Sequence, residues 1–165
     1  MKVVAINGSA REKGNTKILI ERVLQKLEKE GIETELISLS KNILAPCKAC
    51  FTCGGKEKCT FGDQDIFNSI FKKIKEADGI ILASPSYSAN VSSNMQALLE
   101  RASVICDMNP GLLTHKVGVS IATERRAGAL NTIDTMNHFF LNHEMYVAGS
   151  TYWNLGIGKL PGEVE

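Results

Sequence analysis

Short apolar runs alternate with amphipathic stretches along most of this chain. Residues 2–6 and 79–83 are almost continuously apolar, which is typical of strands buried on both faces of a sheet. A third such run covers 116–122. Residues 33–39 alternate polar and apolar side chains as an outer strand does, and 145–152 completes a predicted set of five strands.

Four segments between these strands place apolar residues at helical spacing. Their positions are Ile20, Val23, Leu24 and Leu27; Ile66, Ile70 and Ile74; Met95, Leu98, Leu99 and Ala102; and Leu130, Ile133, Met136 and Phe140. The first helix is predicted over about 15–30, with Gly31 at its C-terminal end. Asp63 is the expected N-cap of the second helix, and Ser92 or Ser93 is that of the third.

This order of strands and helices predicts an α/β fold with a parallel sheet and helices on both faces. Five strands favour a flavodoxin-like three-layer sandwich of strand order 2-1-3-4-5, whose ligand site lies beyond the carboxyl ends of strands 1 and 3. The 165 residues fit a single domain, 1–165. No fifth helix is predicted after the last strand, so we expect either a truncated sequence or a partner subunit over that face.

The charge of the chain is nearly balanced, with 19 Lys and Arg against 18 Asp and Glu. A chain without a basic field or an acidic tail is not expected to bind nucleic acid or a membrane surface. The N-terminal apolar run is too short for a signal peptide, and no apolar stretch approaches the length of a transmembrane span. We therefore expect a cytoplasmic protein.

The loop after the first strand, 8–16, combines polar groups with the start of a helix. The hydroxyls of Ser9 and Thr16, the Asn15 amide and the Arg11 guanidinium accompany the N–H groups of a helix N-terminus, a set that can cradle phosphate. The loop matches neither the Walker A spacing nor G-x-G-x-x-G, which disfavours both nucleotide motifs. The alternative is a polar turn with a helix cap.

Two further loops are expected at the same sheet edge, after the third and fourth strands. In the first, Tyr87 can stack on a flat ring while polar groups near Asn90 bind its edges; alternatively, Tyr87 only covers the core. In the second, Arg126 can stabilise negative charge on a reduced ring, although adjacent arginines are also common in solvated turns. The candidate ligand-binding residues of these loops are Pro85, Ser86, Tyr87, Asn90, Val91, Ser92, Thr123, Arg126, Ala127 and Gly128.

Four of the five cysteines follow the spacing C-x2-C-x2-C-x5-C, namely Cys47, Cys50, Cys53 and Cys59. Three thiolates at steps of three residues can line one side of an inorganic cluster, and Gly54-Gly55 allows the chain to turn back and supply the fourth. The spacing favours a [4Fe-4S] cluster in loop 45–62. Two alternatives stay open: zinc, which usually takes two separated C-x2-C pairs, and redox thiols or disulfides.

The remaining reactive side chains indicate structural roles. Cys106 lies in an apolar helical stretch and is expected to be a buried thiol. None of the three histidines accompanies a hydrolase motif. Arg101 and Glu100 are expected to form surface ion pairs that add little stability.

Together these motifs resemble the NADPH-dependent FMN reductase-like branch of the flavodoxin superfamily, and within it the iron–sulfur flavoproteins of anaerobic archaea and bacteria. The matching segments span nearly the whole chain: 8–11, 14–16, 47–59, 85–87, 91–92, 99–101, 126–128 and 137–140. The resemblance implies FMN held by the three loops and a [4Fe-4S] cluster on the four cysteines. It also implies homodimers or homotetramers that exchange electrons with ferredoxin-like partners.

The sequence thus predicts a redox-active electron-transfer flavoprotein. The alternative is an NAD(P)H-dependent FMN or quinone reductase whose cysteines bind zinc or no metal. A third hypothesis is a sensor in which loss of the cluster loosens 45–62 and alters assembly. One residue departs from the family pattern, because Ser86 stands where an aliphatic residue usually separates Pro85 from Tyr87.

Overall fold

The computed structural model describes residues 1–164 and confirms the predicted architecture. The elements in chain order are β1 (Lys2–Asn7), α1 (Asn15–Lys29), β2 (Glu33–Ser38), α2 (Phe67–Glu76), β3 (Gly79–Pro85), α3 (Ser93–Met108), β4 (Val117–Glu124), α4 (Ala129–Asn142), β5 (Tyr146–Val147) and β6 (Leu155–Ile157). The sheet has the order β2-β1-β3-β4-β5, and its pairings are parallel. The carboxyl ends of β1, β3 and β4 therefore meet at one edge.

The fifth strand differs from its prediction. The pattern predicts one strand over 145–152, whereas the chain forms two short strands that both pair with β4. Tyr146 and Val147 pair with the start of β4, and Leu155–Ile157 pairs with its end. Between them, 149–151 is exposed and carries no apolar side chain, so the chain gains little by staying in the sheet. Within residues 143–164, the structure contains no further helix.

Two apolar cores lie on opposite faces of the sheet. α1 packs Ile20 and Leu24 against one face, and α2, α3 and α4 cover the other. Leu130 does not belong to the buried face of α4, in contrast to the prediction, because that face begins at Ala129 and leaves Leu130 48% exposed. None of the helices in residues 1–164 has both the length and the apolar character needed to cross a membrane.

Asp63 is not the N-cap of α2, so this part of the prediction was wrong. The helix begins at Phe67, whose N–H donates to the Asp65 carboxylate at 2.9 Å. The Asp63 carboxylate instead accepts a hydrogen bond from the Asn68 side chain at 2.9 Å. Residues 60–66 form turns and bends around Asn68, and the helix starts only where these end.

Ser92 caps α3, as predicted, and ties this helix to the loop after β1. Its hydroxyl donates to the Gly8 carbonyl at 2.6 Å and accepts from the Met95 N–H at 3.3 Å. We expect Ser92→Ala to lower the free energy of unfolding by about 2 kcal/mol, because a helix cap and a buried carbonyl lose their partner. Urea unfolding followed by circular dichroism measures the effect. Ser93 is exposed, so Ser93→Ala is the control, and an equal loss in both variants contradicts the capping role.

Candidate functional site

The loops after β1, β3 and β4 enclose a cavity of about 220 Å³ at the carboxyl edge of the sheet. We call it the loop cavity. Its wall consists of Ser9, Arg11, Gly14, Asn15, Thr16, Pro85, Ser86, Tyr87, Thr123, Glu124, Arg125, Gly158 and Lys159. The structure thus brings together these residues predicted from the sequence: Ser9, Arg11, Asn15, Thr16, Pro85, Ser86, Tyr87 and Thr123. A hydrogen bond of 2.7 Å between the Thr16 and Thr123 hydroxyls joins α1 to β4 beside the cavity.

Three other predicted residues lie outside the wall but shape the loop after β3. Asn90 closes a tight turn with Tyr87, since each backbone N–H donates to the carbonyl of the other residue. Val91 is buried in the core beneath this turn, and Ser92 caps α3. The turn leaves Tyr87 44% exposed at the cavity wall, where its ring is available to a ligand.

In the loop after β4, Arg125 lines the cavity, whereas Arg126 and Ala127 are exposed outside its wall. Gly128 precedes α4 with a φ of 106°, a left-handed conformation that favours glycine. A Cβ atom at this position would lie 2.6 Å from the Ser86 hydroxyl oxygen. Gly128 therefore allows the loops after β3 and β4 to approach each other.

The α1 end of the cavity suits an anion. Within residues 1–164, α1 has no side-chain cap at Gly14. The Lys17 N–H donates to the Gly14 carbonyl at 3.0 Å, so the Asn15 and Thr16 N–H groups are the ones available to a ligand. The Ser9 hydroxyl accepts from the Arg11 N–H at 3.1 Å and so fixes the turn that leads into the helix. The macrodipole of α1 adds positive potential at the same end.

Charged side chains in the wall also favour an anionic ligand. Arg11, Arg125 and Lys159 contribute positive charge to the lining, against the single carboxylate of Glu124. That carboxylate is already engaged, because it accepts from the Ala129 N–H at the start of α4 at 2.8 Å.

The segment 158–163 closes one side of the cavity, which sequence reasoning missed. The Lys159 carbonyl accepts from the Arg11 guanidinium at 3.2 Å, and the Gly162 N–H donates to the Asn15 side chain at 2.9 Å. The signal that could have found this segment is its glycine content, because glycines permit close approach of backbone to a ligand.

The Ser86 hydroxyl tests whether the loop cavity fits a polar ligand. Its hydroxyl oxygen is buried and has no hydrogen-bond partner among residues 1–164. An unpaired buried hydroxyl is costly, so a polar atom of a ligand in the cavity would satisfy it. Together with the exposed Tyr87 ring and the uncapped α1, this fits a ligand with a flat polar ring and an anionic group.

The four cysteines of the motif are free thiols on the loop after β2, and we call residues 45–62 the cysteine loop. Burial raises the pKa of the Cys53 thiol, and the negative charges of the Cys50, Cys59 and Cys47 thiolates raise it further. Within residues 1–164, no three Cys, His, Asp or Glu side chains are already grouped as a metal site. The thiol donor set itself matches the soft ligands that iron–sulfur clusters and zinc require.

Two asparagines hold the backbone of the cysteine loop. The Asn68 side chain accepts from the Cys59 N–H and donates to the Cys59 carbonyl, both at 3.0 Å. The Asn109 side chain donates to the Cys53 carbonyl at 3.1 Å and accepts from the Gly55 N–H at 2.8 Å. Hydrogen bonds from α2 and from the end of α3 thus fix the backbone around two of the four cysteines.

Arg101 is buried, in contrast to the surface role predicted for it, and its side chain is only 3% exposed. The guanidinium donates to the Asp65 carboxylate at 2.6 Å and to the Ala45 carbonyl at 3.2 Å, and it lies 4.1 Å above the Phe67 ring. Burial alone lowers the pKa of Arg101, but the hydrogen bond with the Asp65 carboxylate and the negative charge of the Cys59 thiolate raise it above its ordinary value. The predicted surface role was wrong because the residues that Arg101 contacts are distant in sequence.

The sequence model of the NADPH-dependent FMN reductase family matches residues 1–159. The chain belongs to this family. An iron-sulfur flavoprotein of Methanocaldococcus jannaschii is 41% identical to it over 173 residues, which cover 100% of this chain and 87% of the relative. An iron-sulfur flavoprotein of Methanosarcina thermophila is 33% identical over 167 residues, covering 100% of this chain and 86% of the relative. Membership in the FMN reductase family indicates a flavin-based redox function.

Solved structures show the same fold as this FMN reductase family member. RosB, in complex with 8-demethyl-8-formylriboflavin-5'-phosphate, has a TM-score of 0.76 and 22% identity, covering 97% of this chain and 67% of RosB. A Trp repressor binding protein from Bacillus subtilis has a TM-score of 0.70 and 22% identity, covering 98% and 90% of the two chains. A flavodoxin from Archaea reaches a TM-score of 0.62 at 16% identity, covering 95% and 85%. At these identities the likeness concerns the fold.

Proposed function

We propose that this member of the FMN reductase family is an electron carrier with two cofactors, FMN in the loop cavity and a [4Fe-4S] cluster on the cysteine loop. The observation that carries the proposal is the presence, in one chain, of a cavity with a mostly cationic charged lining at the sheet edge and four free thiols after β2. The names of the two archaeal relatives support both cofactors. We further propose that it exchanges electrons with ferredoxin-like partners and works as a homodimer or homotetramer.

The FMN phosphate is proposed to bind at the N-terminus of α1. Ser9, Thr16 and Asn15 offer hydroxyl and amide groups there, and Arg11 offers positive charge. The Tyr87 ring would pack against the flavin, and the Ser86 hydroxyl, which has no hydrogen-bond partner within residues 1–164, would gain one. When bound, FMN supplies one- and two-electron chemistry, while the chain supplies binding and electrostatics.

The cluster is proposed to bind through the thiolates of Cys47, Cys50, Cys53 and Cys59. The hydrogen bonds from Asn68 and Asn109 keep the loop backbone in place, so less order has to be gained when the metal binds. When bound, the cluster accepts or donates one electron at a time.

Cofactor analysis after purification without oxygen tests this proposal. We expect FMN together with iron and acid-labile sulfide in amounts that correspond to one cluster per flavin. Flavin without iron contradicts the cluster, and iron without flavin contradicts the assignment of the loop cavity. Zinc in place of iron favours the reductase alternative.

A second candidate function is an NAD(P)H-dependent FMN or quinone reductase, because the matching family is described as NADPH-dependent. The loop cavity opens beside the exposed Tyr87, where a nicotinamide would have to reach the flavin directly. Anaerobic stopped-flow mixing of the flavin-loaded protein with NADPH distinguishes the two functions. Bleaching of the flavin on the timescale of enzymatic turnover favours the reductase. If NADPH does not reduce the flavin, the reductase function is excluded.

A further inference from the structure

A buried ion pair lies where the two ends of the cysteine loop meet α3. The Arg101 guanidinium donates to the Asp65 carboxylate at 2.6 Å, and the two side chains are only 3% and 10% exposed. A buried ion pair adds little stability compared with apolar side chains of similar size, because both charges must leave water. Stability alone therefore does not account for this pair.

The ion pair joins the residues that flank the four cysteines. The Ala45 N–H donates to the Asp65 carboxylate at 3.1 Å, and the Ala45 carbonyl accepts from Arg101 at 3.2 Å. Ala45 lies two residues before Cys47, and Asp65 lies six residues after Cys59. The four cysteines are thus on a segment whose ends are held together. We call Ala45, Asp65 and Arg101 the loop clasp.

The loop clasp is fixed to the core beside α2. The Asp65 carboxylate accepts from the Phe67 N–H at 2.9 Å, and the Arg101 guanidinium lies 4.1 Å from the centroid of the Phe67 ring, which is fully buried. Burial raises the pKa of Asp65, but hydrogen bonds from the Phe67 N–H and from the other two members of the clasp lower it below its ordinary value. The carboxylate is therefore charged opposite Arg101 at neutral pH.

Fixed ends lower the cost of metal binding by a loop. Bringing distant parts of a flexible segment together costs conformational entropy, so ligands on a loop that is already closed bind metal more tightly. Asn68 and Asn109 hold the backbone inside the loop, whereas the clasp holds its ends. The wall of the loop cavity contains no member of the clasp, so the clasp acts on the cysteine loop and not on the flavin site.

We infer that Arg101 and Asp65 are positioning residues for the metal centre, because they hold the ends of the cysteine loop in the arrangement that lets its four thiolates bind metal. The inference rests on the proposed function, which makes the four cysteines metal ligands. Opening of the clasp is expected to release the loop while both apolar cores stay folded. It should therefore weaken metal binding much more than it weakens the fold or the binding of FMN.

The affinity of the metal-free chain for Co²⁺, measured without oxygen, tests the inference. Co²⁺ bound by cysteine thiolates gives a charge-transfer absorption band, so a titration reports directly on the loop. The double variant Asp65→Leu with Arg101→Met removes both charges and fills their space with apolar side chains, so no unpaired charge is left in the core. We expect this clasp variant to bind Co²⁺ at least ~10-fold more weakly than the wild type.

Hydrogen exchange followed by nuclear magnetic resonance separates a positioning role from a general loss of stability. The Cys59 and Gly55 N–H groups lie inside the loop and donate to Asn68 and Asn109 rather than to the clasp. In the metal-free clasp variant these amides should exchange faster than in the wild type, because the loop opens locally. The amides of β3 should keep their wild-type rates.

Glu57 and Lys75 supply a matched control. They form an ion pair between the cysteine loop and α2 at an N–O distance of 3.0 Å, but their side chains are 56% and 24% exposed. The double variant Glu57→Gln with Lys75→Gln removes an ion pair without a change in net charge, as the clasp variant does. Its Co²⁺ affinity should equal the wild-type value, because exposed ion pairs contribute little.

Equal Co²⁺ affinity in the wild type and the clasp variant overturns the inference, and so does an equal loss in the clasp and control variants. Faster exchange of the β3 amides together with the loop amides also overturns it, since the pair then serves general stability. A wild-type chain that does not bind Co²⁺ overturns the proposed metal centre and the inference with it. If the wild type binds Co²⁺ but takes up no iron–sulfur cluster, only the proposed cluster is contradicted, and a weaker Co²⁺ affinity of the clasp variant still supports the inference.

Discussion

Replacement of Cys50 by serine is expected to remove the cluster while FMN stays bound. Cys50 is exposed, so the change disturbs no packing, and serine replaces a soft sulfur ligand with a hard oxygen. A hydrogen bond with the Thr52 hydroxyl lowers the pKa of Cys50, which favours the thiolate that binds metal. We expect iron content to fall at least ~10-fold. Iron, sulfide and flavin analysis after purification without oxygen measures the result.

FMN should remain because the cysteine loop contributes no residue to the wall of the loop cavity. Cys53→Ser should give the same result, although Cys53 is buried and its replacement also tests the packing of the loop. Cys106→Ser is the control, because burial raises the pKa of Cys106 to about 12 and its thiol lies outside the loop. Retention of iron in Cys50→Ser, or loss of iron and flavin together, contradicts the separation of the two sites.

The fold was largely predictable because its main determinants are local. Apolar runs such as 79–83 and the helical spacing of residues such as Ile20 and Leu24 depend on neighbours in sequence, and the parallel topology follows from their alternation. The predicted element boundaries are wrong where the local structure depends on more than the apolar pattern of the segment itself. The segment 149–151 leaves the sheet because it has no apolar side chain to bury, and α2 starts at Phe67 because residues 60–66 form turns around Asn68.

The candidate site was predictable where one loop supplies several groups. Ser9, Arg11 and Thr16 follow β1 within a few residues, and the topology places them at the ligand-binding edge. The wall formed by Gly158 and Lys159 is distant in sequence from the loop after β1, because Lys159 lies 148 residues beyond its partner Arg11, and no periodic pattern predicts this contact. The burial of Arg101 was also not predictable, because the sequence around a polar residue in a helix does not show whether its side chain points inward to the cysteine loop.

Asn15→Asp is expected to lower the affinity for FMN at least 100-fold, which corresponds to about 3 kcal/mol. The two side chains have nearly the same shape, and an aspartate oxygen can still accept from the Gly162 N–H. The new negative charge, however, lies in the cavity wall at the N-terminus of α1, where we propose that the phosphate binds. The fold should not be weakened, because an acidic residue in the first turn of a helix is favourable. Fluorescence titration of the flavin-free protein with FMN measures the affinity.

Riboflavin distinguishes a phosphate effect from a general loss of flavin binding. Because riboflavin has no phosphate, its affinity should change far less than that of FMN in Asn15→Asp. Asn131→Asp introduces the same charge into the first turn of α4, where Asn131 is exposed and outside the cavity wall, so FMN affinity should stay at the wild-type value. If Asn15→Asp weakens FMN and riboflavin equally, the phosphate does not bind at α1, and the flavin must lie in the cavity in another orientation.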